Sequence, residues 1–248
     1  MRKLYKAGAI LLFVMAAAYI AAAYKEVRPY RESKETHTKL QNLVVDMQEP
    51  QSPAKRSIDF TVLQEINPDI AAWIYIPGTA IDYPVLIGKT DGEYLKKDYQ
   101  KSYSPLGSIF AFSDTDREMQ NAHICLFGHN MKRPQMFGEL KRYSDHVFAK
   151  EHENLYLYLP DRTEFYQICS MFVCEKNDGI FEHKMQAGSQ EMERLWQQII
   201  DRSEWEMSSV NPHTVPEKIV TLTACRDVER THMRTTVHFR KIETYGRK

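Results

Sequence analysis

The chain has 248 residues, 43% hydrophobic and 27% charged, which is ordinary globular composition with enough length to bury one good core. Lys+Arg and Asp+Glu both total 33, so the net charge is zero. That balance argues against a nucleic-acid partner, which usually leaves a strongly basic domain, and confines any attraction to an anionic surface to local patches.

Residues 7–24, AGAILLFVMAAAYIAAAY, run for 18 positions without a charge. As a helix they span roughly 27 Å, close to the apolar thickness of a bilayer. Arg2, Lys3 and Lys6 precede them, and the positive-inside rule assigns residues 1–6 to the cytoplasm and the remainder to the outside. Ala21-Ala22-Ala23 would also suit a signal peptidase, but the run is longer than a usual signal core, so a retained anchor is the expectation.

Residues 25–56 are polar, charged and interrupted by Pro29, Pro50 and Pro53, which reads as a stalk. Part of it is expected to be helical. Leu40, Leu43, Val44 and Met47 follow helical spacing, and Ser33 or Thr36 could cap it, so the stripe could dock on the following domain or on another chain.

The folded domain is expected over 57–244. Asp59 caps a short helix carrying Phe60, Leu63 and Ile66, which ends at Asn67-Pro68. Eight strand candidates follow at 72–76, 82–87, 108–112, 122–127, 154–159, 164–174, 217–223 and 234–242, many separated by Gly, Pro, Asp or Asn. So many short strands in under 190 residues predict one closed or nearly closed β-barrel. Two helical insertions are expected, at 136–143 and at 189–203, the second with Ser189 as cap and Met192, Leu195, Trp196 and Ile199 on one face.

Cys225 ends the β-type run 220–225, Arg234 opens the last strand candidate, and His129 follows the apolar run that ends at Phe127 and Gly128. A thiol reacts as thiolate and needs a nearby base or cation. A histidine supplies the proton acceptor and later the donor, and an arginine can hold a developing oxyanion. Cys125, Cys169 and Cys174 read as buried and reduced. Odd spacing puts Cys169 and Cys174 on opposite faces of a strand, so they should not bridge. No CxxC or Cys/His metal spacing occurs, and no acidic cluster stands out as a calcium site. His123 and His238 lie inside strand candidates and read as partly buried structural histidines.

Thr221-Leu222-Thr223-Ala224-Cys225 resembles the TLxTC nucleophile motif of sortases, and Gly128-His129-Asn130-Met131 resembles their histidine motif. The stretches 67–70, 73–79, 81–85, 107–110 and 136–138 are similar to the class B branch, as is a helix before the cysteine strand; the likeness covers about 59–243. It implies a mainly β fold, the eight-stranded sortase-type barrel with added helices, here behind an N-terminal transmembrane helix. It also implies cysteine transpeptidation without a cofactor. Cys225 would be the nucleophile, His129 the acid/base and Arg234 the oxyanion or substrate clamp, with Arg226 and Arg230 as weaker choices for the last role. Leu95, Ile180 and Thr223 would contact substrate. The partners would be a surface protein bearing a C-terminal sorting signal, a peptidoglycan-precursor amine, and the cell membrane through residues 7–24.

Ala224 departs from the family, which usually has Thr there; by strand alternation this predicts a packing change, not lost chemistry. The absence of a second apolar segment and of an Asp-Pro-aromatic lid sets the chain apart from the pilus-polymerising class C branch. Two other readings use the same residues: a membrane-tethered cysteine peptidase that only hydrolyses, and a non-catalytic surface-binding module.

Overall fold

The structure, a computed structural model, describes residues 2–45, 52–206, 210–225 and 232–246. The expected roles of Met47, Arg226 and Arg230 fall outside the described residues.

Among the described residues eight strands form: β1 (Ile70–Tyr75), β2 (Asp82–Leu86), β3 (Ile109–Ala111), β4 (His123–Phe127), β5 (Asn154–Tyr158), β6 (Arg162–Glu175), β7 (Ile219–Cys225) and β8 (Met233–Gly246). They close into a barrel in the order β1-β2-β3-β4-β7-β8-β6-β5, as the strand count predicted. Closure leaves no sheet edge to pair with another chain. The β2–β3 and β4–β7 pairs are parallel and the others antiparallel. Parallel neighbours need a long crossover, and the one from β4 to β7 carries β5, β6 and two helices.

Alternation along the strands divides the side chains cleanly. Ile124, Leu126, Val220, Leu222, Ala224, Val237 and Phe239 fill the barrel interior. Each large apolar side chain buried this way contributes about 1.5–3 kcal/mol. His123, Thr221, Phe172 and His238 lie on the outer face, and helix α4 (Gln190–Asp201) covers that side of the sheet.

Helix α1 (Arg2–Val44) is one continuous 43-residue helix with Pro29 inside it. Ser33 and Thr36, read as possible caps, lie inside this helix and not at its start. Ile10, Leu11, Leu12, Phe13, Tyr19 and Ile20 are largely exposed, and α1 is long and apolar enough to cross a membrane. Its C-terminal turns dock on the barrel. Leu40 and Val44 are buried against Phe60, Leu63, Trp73 and Tyr158, whereas Leu43 faces solvent. His37 stacks on Tyr83 with ring centroids 4.2 Å apart. Asp82 ties this junction together, accepting from Trp73 Nε1 at 2.6 Å, Gln41 Nε2 at 2.8 Å and Arg56 Nη2 at 2.8 Å. Cavities of about 360 and 750 Å³ between α1 and the barrel flank His37.

Helix α2 (Phe60–Ile66) is capped by Asp59, whose carboxylate accepts from Val62 N. Over 136–143 the expected helix is displaced. Met136 takes a left-handed φ of 49°, and a 3-10 turn at Leu140–Ser144 is followed by α3 (His146–Glu151). Helix α4 (Gln190–Asp201) is capped by Ser189 and buries Met192, Leu195, Trp196 and Ile199, the face read from spacing.

Cys125, Cys169 and Cys174 are free and buried. A bulge between Ile168 and Ser170 adds a residue to β6, so Cys169 and Cys174 both join the cluster under α4. The opposite-face argument fails there because a bulge resets strand alternation.

Candidate active site

The parallel ladder between β4 and β7 pairs Cys125 with Thr221 and Phe127 with Thr223. It continues one step beyond β4, where Gly128 N donates to Thr223 O at 3.1 Å. Carried two residues past Phe127 and Thr223, the same register would set His129 level with Cys225. On the other side of β7, Cys225 pairs with Arg234 on β8, and Arg234 pairs with Cys174 on β6. Adjacent strands lie about 4.8 Å apart, so the backbones of His129, Cys225 and Arg234 form a row about 10 Å long on one rim of the barrel. Two of the three come from positions almost a hundred residues apart.

His129 is positioned by close packing around its neighbours. A Cβ on Gly128 would lie 2.6 Å from Ile109 and 2.7 Å from Phe137, so only glycine lets β4 pass beneath the 129–137 loop. Phe137 N donates to His129 O at 3.1 Å. The half-buried imidazole places Nε2 2.7 Å from Leu95 O. A carbonyl only accepts, so Nε2 carries the hydrogen and, in the neutral ring, Nδ1 is left to take a proton. The Leu95 carbonyl is itself wedged against Gly107, which has φ 59° and whose Cβ, if present, would lie 2.5 Å from that oxygen.

Arg234 is half-buried, and Nη1 donates to Met233 O at 3.1 Å. Burial pushes the Cys125 and Cys169 thiols well up and the Cys174 thiol up to about 12, so these three are poor nucleophiles near neutral pH. Among the described residues no cluster of three or more His, Cys, Asp or Glu could hold a metal ion.

The three expected substrate contacts sit in different places. Leu95 is exposed beside a cavity of about 510 Å³ and touches the row through its carbonyl. Ile180 is fully buried with Met192 and Trp196, and Thr223 is 1% exposed, so in this conformation each lies beneath the surface and not on it. Spacing did not single out the segment 178–185. It leads away from β6 beside Arg234 and lines a cavity of about 450 Å³ with Asp178, Phe181, Glu182, His183 and Met185. Phe181 lies 6.1 Å from Phe127, two residues before His129, and His183 stacks on Phe112 at 4.3 Å. Asp114, held down to about 2 by Lys184 and His183, fastens the segment. These aromatic contacts join residues far apart in sequence and carry no local signature.

A sequence model of the Sortase domain matches residues 74–242. The chain belongs to the sortase family. Sortase B of Staphylococcus aureus (strain NCTC 8325 / PS 47) is 28% identical over 223 residues, covering 88% of this sortase and 89% of that protein. Sortase B of Listeria monocytogenes serovar 1/2a is 37% identical over 90 residues, 36% of this chain and 37% of that one. Among solved structures, sortase B from B. anthracis in complex with AAEK1 superposes with a TM-score of 0.74 at 28% identity, over 87% of this chain and 99% of that one. The Staphylococcus aureus sortase B–substrate complex gives 0.71 at 25% identity, over 86% and 97%. These likenesses put this sortase in class B.

Proposed function

We propose that this sortase is a membrane-anchored cysteine transpeptidase. It would cleave the C-terminal sorting signal of an exported protein through a thioester on Cys225 and join the new carboxyl end to a cell-wall-precursor amine. The observation that supports the reading is the register that pairs Cys225 with Arg234 and runs β4, which ends two residues before His129, alongside the cysteine strand.

In the reaction proposed, the Cys225 thiol gives its proton to His129 Nδ1, and the thiolate adds to the scissile carbonyl carbon. The negative charge that collects on the carbonyl oxygen is met by the Arg234 guanidinium, which stays ionised and offers a fork of donors. Collapse breaks the C–N bond as His129 protonates the departing amine, leaving a thioester. An incoming amine then attacks, loses its proton to His129, and the Cys225 sulfur leaves as thiolate. The Leu95 carbonyl holds the imidazole in one tautomer throughout. No cofactor enters these steps. Substrate would approach between the Leu95 turn and the 178–185 segment.

Residues 7–24 would form the transmembrane anchor, with 1–6 inside, 25–56 as the stalk and 57–244 as the catalytic domain outside. The charge-free run and the exposed apolar face of α1 support this.

The test mixes the protein with a panel of sorting peptides, with and without a glycine-type amine, and reads products by mass spectrometry. The expected result is an adduct on Cys225 and an amine-joined product, both lost in Cys225→Ala. Tail release by Cys225→Ala would overturn the assignment. Cleavage without amine transfer would leave a hydrolase, and no adduct with any peptide would leave a binding module.

A further inference from the structure

Among the fully buried polar side chains on the outer face of β4, β7 and β8 are His123, Thr221 and His238, which the proposed chemistry does not use. They form one continuous chain. His123 Nδ1 lies 2.7 Å from Glu182 O, His123 Nε2 2.8 Å from Thr221 Oγ1, and Thr221 Oγ1 2.9 Å from His238 Nδ1.

The proton positions follow from the first link. Glu182 O only accepts, so His123 Nδ1 donates, and burial, which lowers His123 to about 4, keeps that ring neutral. His123 Nε2 is then an acceptor and takes the Thr221 hydroxyl hydrogen. The Thr221 oxygen in turn accepts from His238 Nδ1. The chain therefore has one polarity, running from the middle of β8 through β7 and β4 to a backbone carbonyl outside the sheet. His238 Nε2 ends it, buried and without a hydrogen-bond partner among the described residues. Phe172 stacks on this ring at 4.7 Å.

The carbonyl at the far end belongs to the residue that closes the 3-10 turn Gly179–Phe181, at the centre of the 178–185 segment. Asp178 anchors the start of that segment through paired bonds to Arg202, and Asp114 holds His183 and Lys184 near its end. The His123 bond ties the backbone between these anchors to β4, the strand that leads to His129. Thr221 lies four residues before Cys225 on β7, about 13 Å away, too far to touch the reacting atoms.

We propose that His123, Thr221 and His238 are positioning residues that hold the 178–185 segment as a wall of the substrate groove, so that they set substrate affinity and leave thiol reactivity alone. This rests on the sortase reading of the groove given above.

Thr221→Val keeps the shape and removes both hydroxyl bonds; Thr221→Ser keeps the hydroxyl. The full-length protein in detergent is compared in three ways: hydrogen–deuterium exchange of residues 178–186, KM and kcat for a peptide that the unmodified protein cleaves, and the rate of Cys225 alkylation by iodoacetamide. Loss of one ordered hydrogen-bond chain should speed exchange of the segment and raise KM, each about tenfold. kcat should stay within about twofold and alkylation should not change. Thr221→Ser should restore both affected quantities. Unchanged exchange in Thr221→Val would overturn the proposal, as would faster exchange with an unchanged KM. A matched fall in kcat and alkylation rate would also overturn it, because the chain would then act on the thiol. Should Thr221→Val not fold, His123→Leu removes the Glu182 bond and carries the same comparison. If the unmodified protein cleaves no peptide, the sortase reading of the groove fails, while the exchange comparison still decides whether the chain orders the segment.

Discussion

Gly107→Ala tests whether a backbone carbonyl orients His129, the proposed general base. Gly107 has φ 59°, and alanine in that left-handed region costs about 1–2 kcal/mol. The added Cβ would lie 2.5 Å from Leu95 O and 2.7 Å from Tyr94 O, against a practical minimum of 3.0 Å. Packing this tight transmits strain, so the Leu95 carbonyl must retreat by at least about 0.5 Å. The His129 Nε2···Leu95 O bond, now 2.7 Å, then stretches to the edge of hydrogen-bonding distance. With overpacking added, the total loss of stability should be roughly 2–4 kcal/mol. Misplacing a catalytic group by up to 1 Å can cost about a hundredfold, so kcat/KM should fall between tenfold and a hundredfold. Thermal melts and steady-state kinetics well below the melting temperature separate the two effects. A variant with the expected loss of stability and full kcat/KM would refute the argument, because the Leu95 carbonyl would have moved without consequence for His129.

Arg234→Ala should lower kcat by about 10²–10³, and Arg234→Lys should fall between it and the native enzyme, since charge survives but the donor fork does not; native kcat in the alanine variant would remove Arg234 from the mechanism. Lys218→Met should cost roughly 3 kcal/mol, or roughly 6–12 °C in melting temperature, because it strips a buried partner from Glu164, 2.8 Å away, while Arg162 stays. Acid should destabilise the fold in two stages, read as melting temperature from pH 8 down to about pH 3. Burial holds His37 and His123 at about 4 and His238 well below its usual range, so the unfolded chain takes up protons first. Stability is therefore complete above about 6.5 and is lost as pH falls from there towards 4. Burial would raise Glu164, but Lys218, Tyr166 and Arg162 pull it below its ordinary value, so its contribution disappears at still lower pH. A melting temperature that does not change between pH 7 and pH 5 would contradict this assignment.

The strands were legible because alternation and turn residues are local. All eight candidates correspond to observed strands, with boundaries shifted by a few residues. The Ser189 and Asp59 caps were legible for the same reason. Pairing between distant strands was not. Nothing near Phe127 or Thr223 indicates that β4 and β7 run parallel and adjacent; that depends on where two crossovers return. The bulge at Cys169 was invisible because it answers to its partner strand, β8. His123 and His238 were read as partly buried and turn out to be fully buried, because α4 and the 178–185 segment cover them. The Ser33 and Thr36 caps were misread because a cap residue is also tolerated inside a helix that arrives from upstream, as α1 does through Pro29.

The parallel neighbours β4 and β7 also have a consequence for the order of assembly. A ribosome delivers β4 long before β7, and in the barrel β7 is the strand inserted between β4 and β8. Until that insertion, the histidine rim and the cysteine strand belong to separate pieces of chain. Closing such a long loop is the slow, entropically opposed step of a non-local topology. Barrel closure and the approach of Cys225 to the histidine rim are thus a single event, and an unfinished chain holds the histidine with no cysteine strand beside it. On the proposed chemistry, topology alone would keep the protein silent until its last strands are in place.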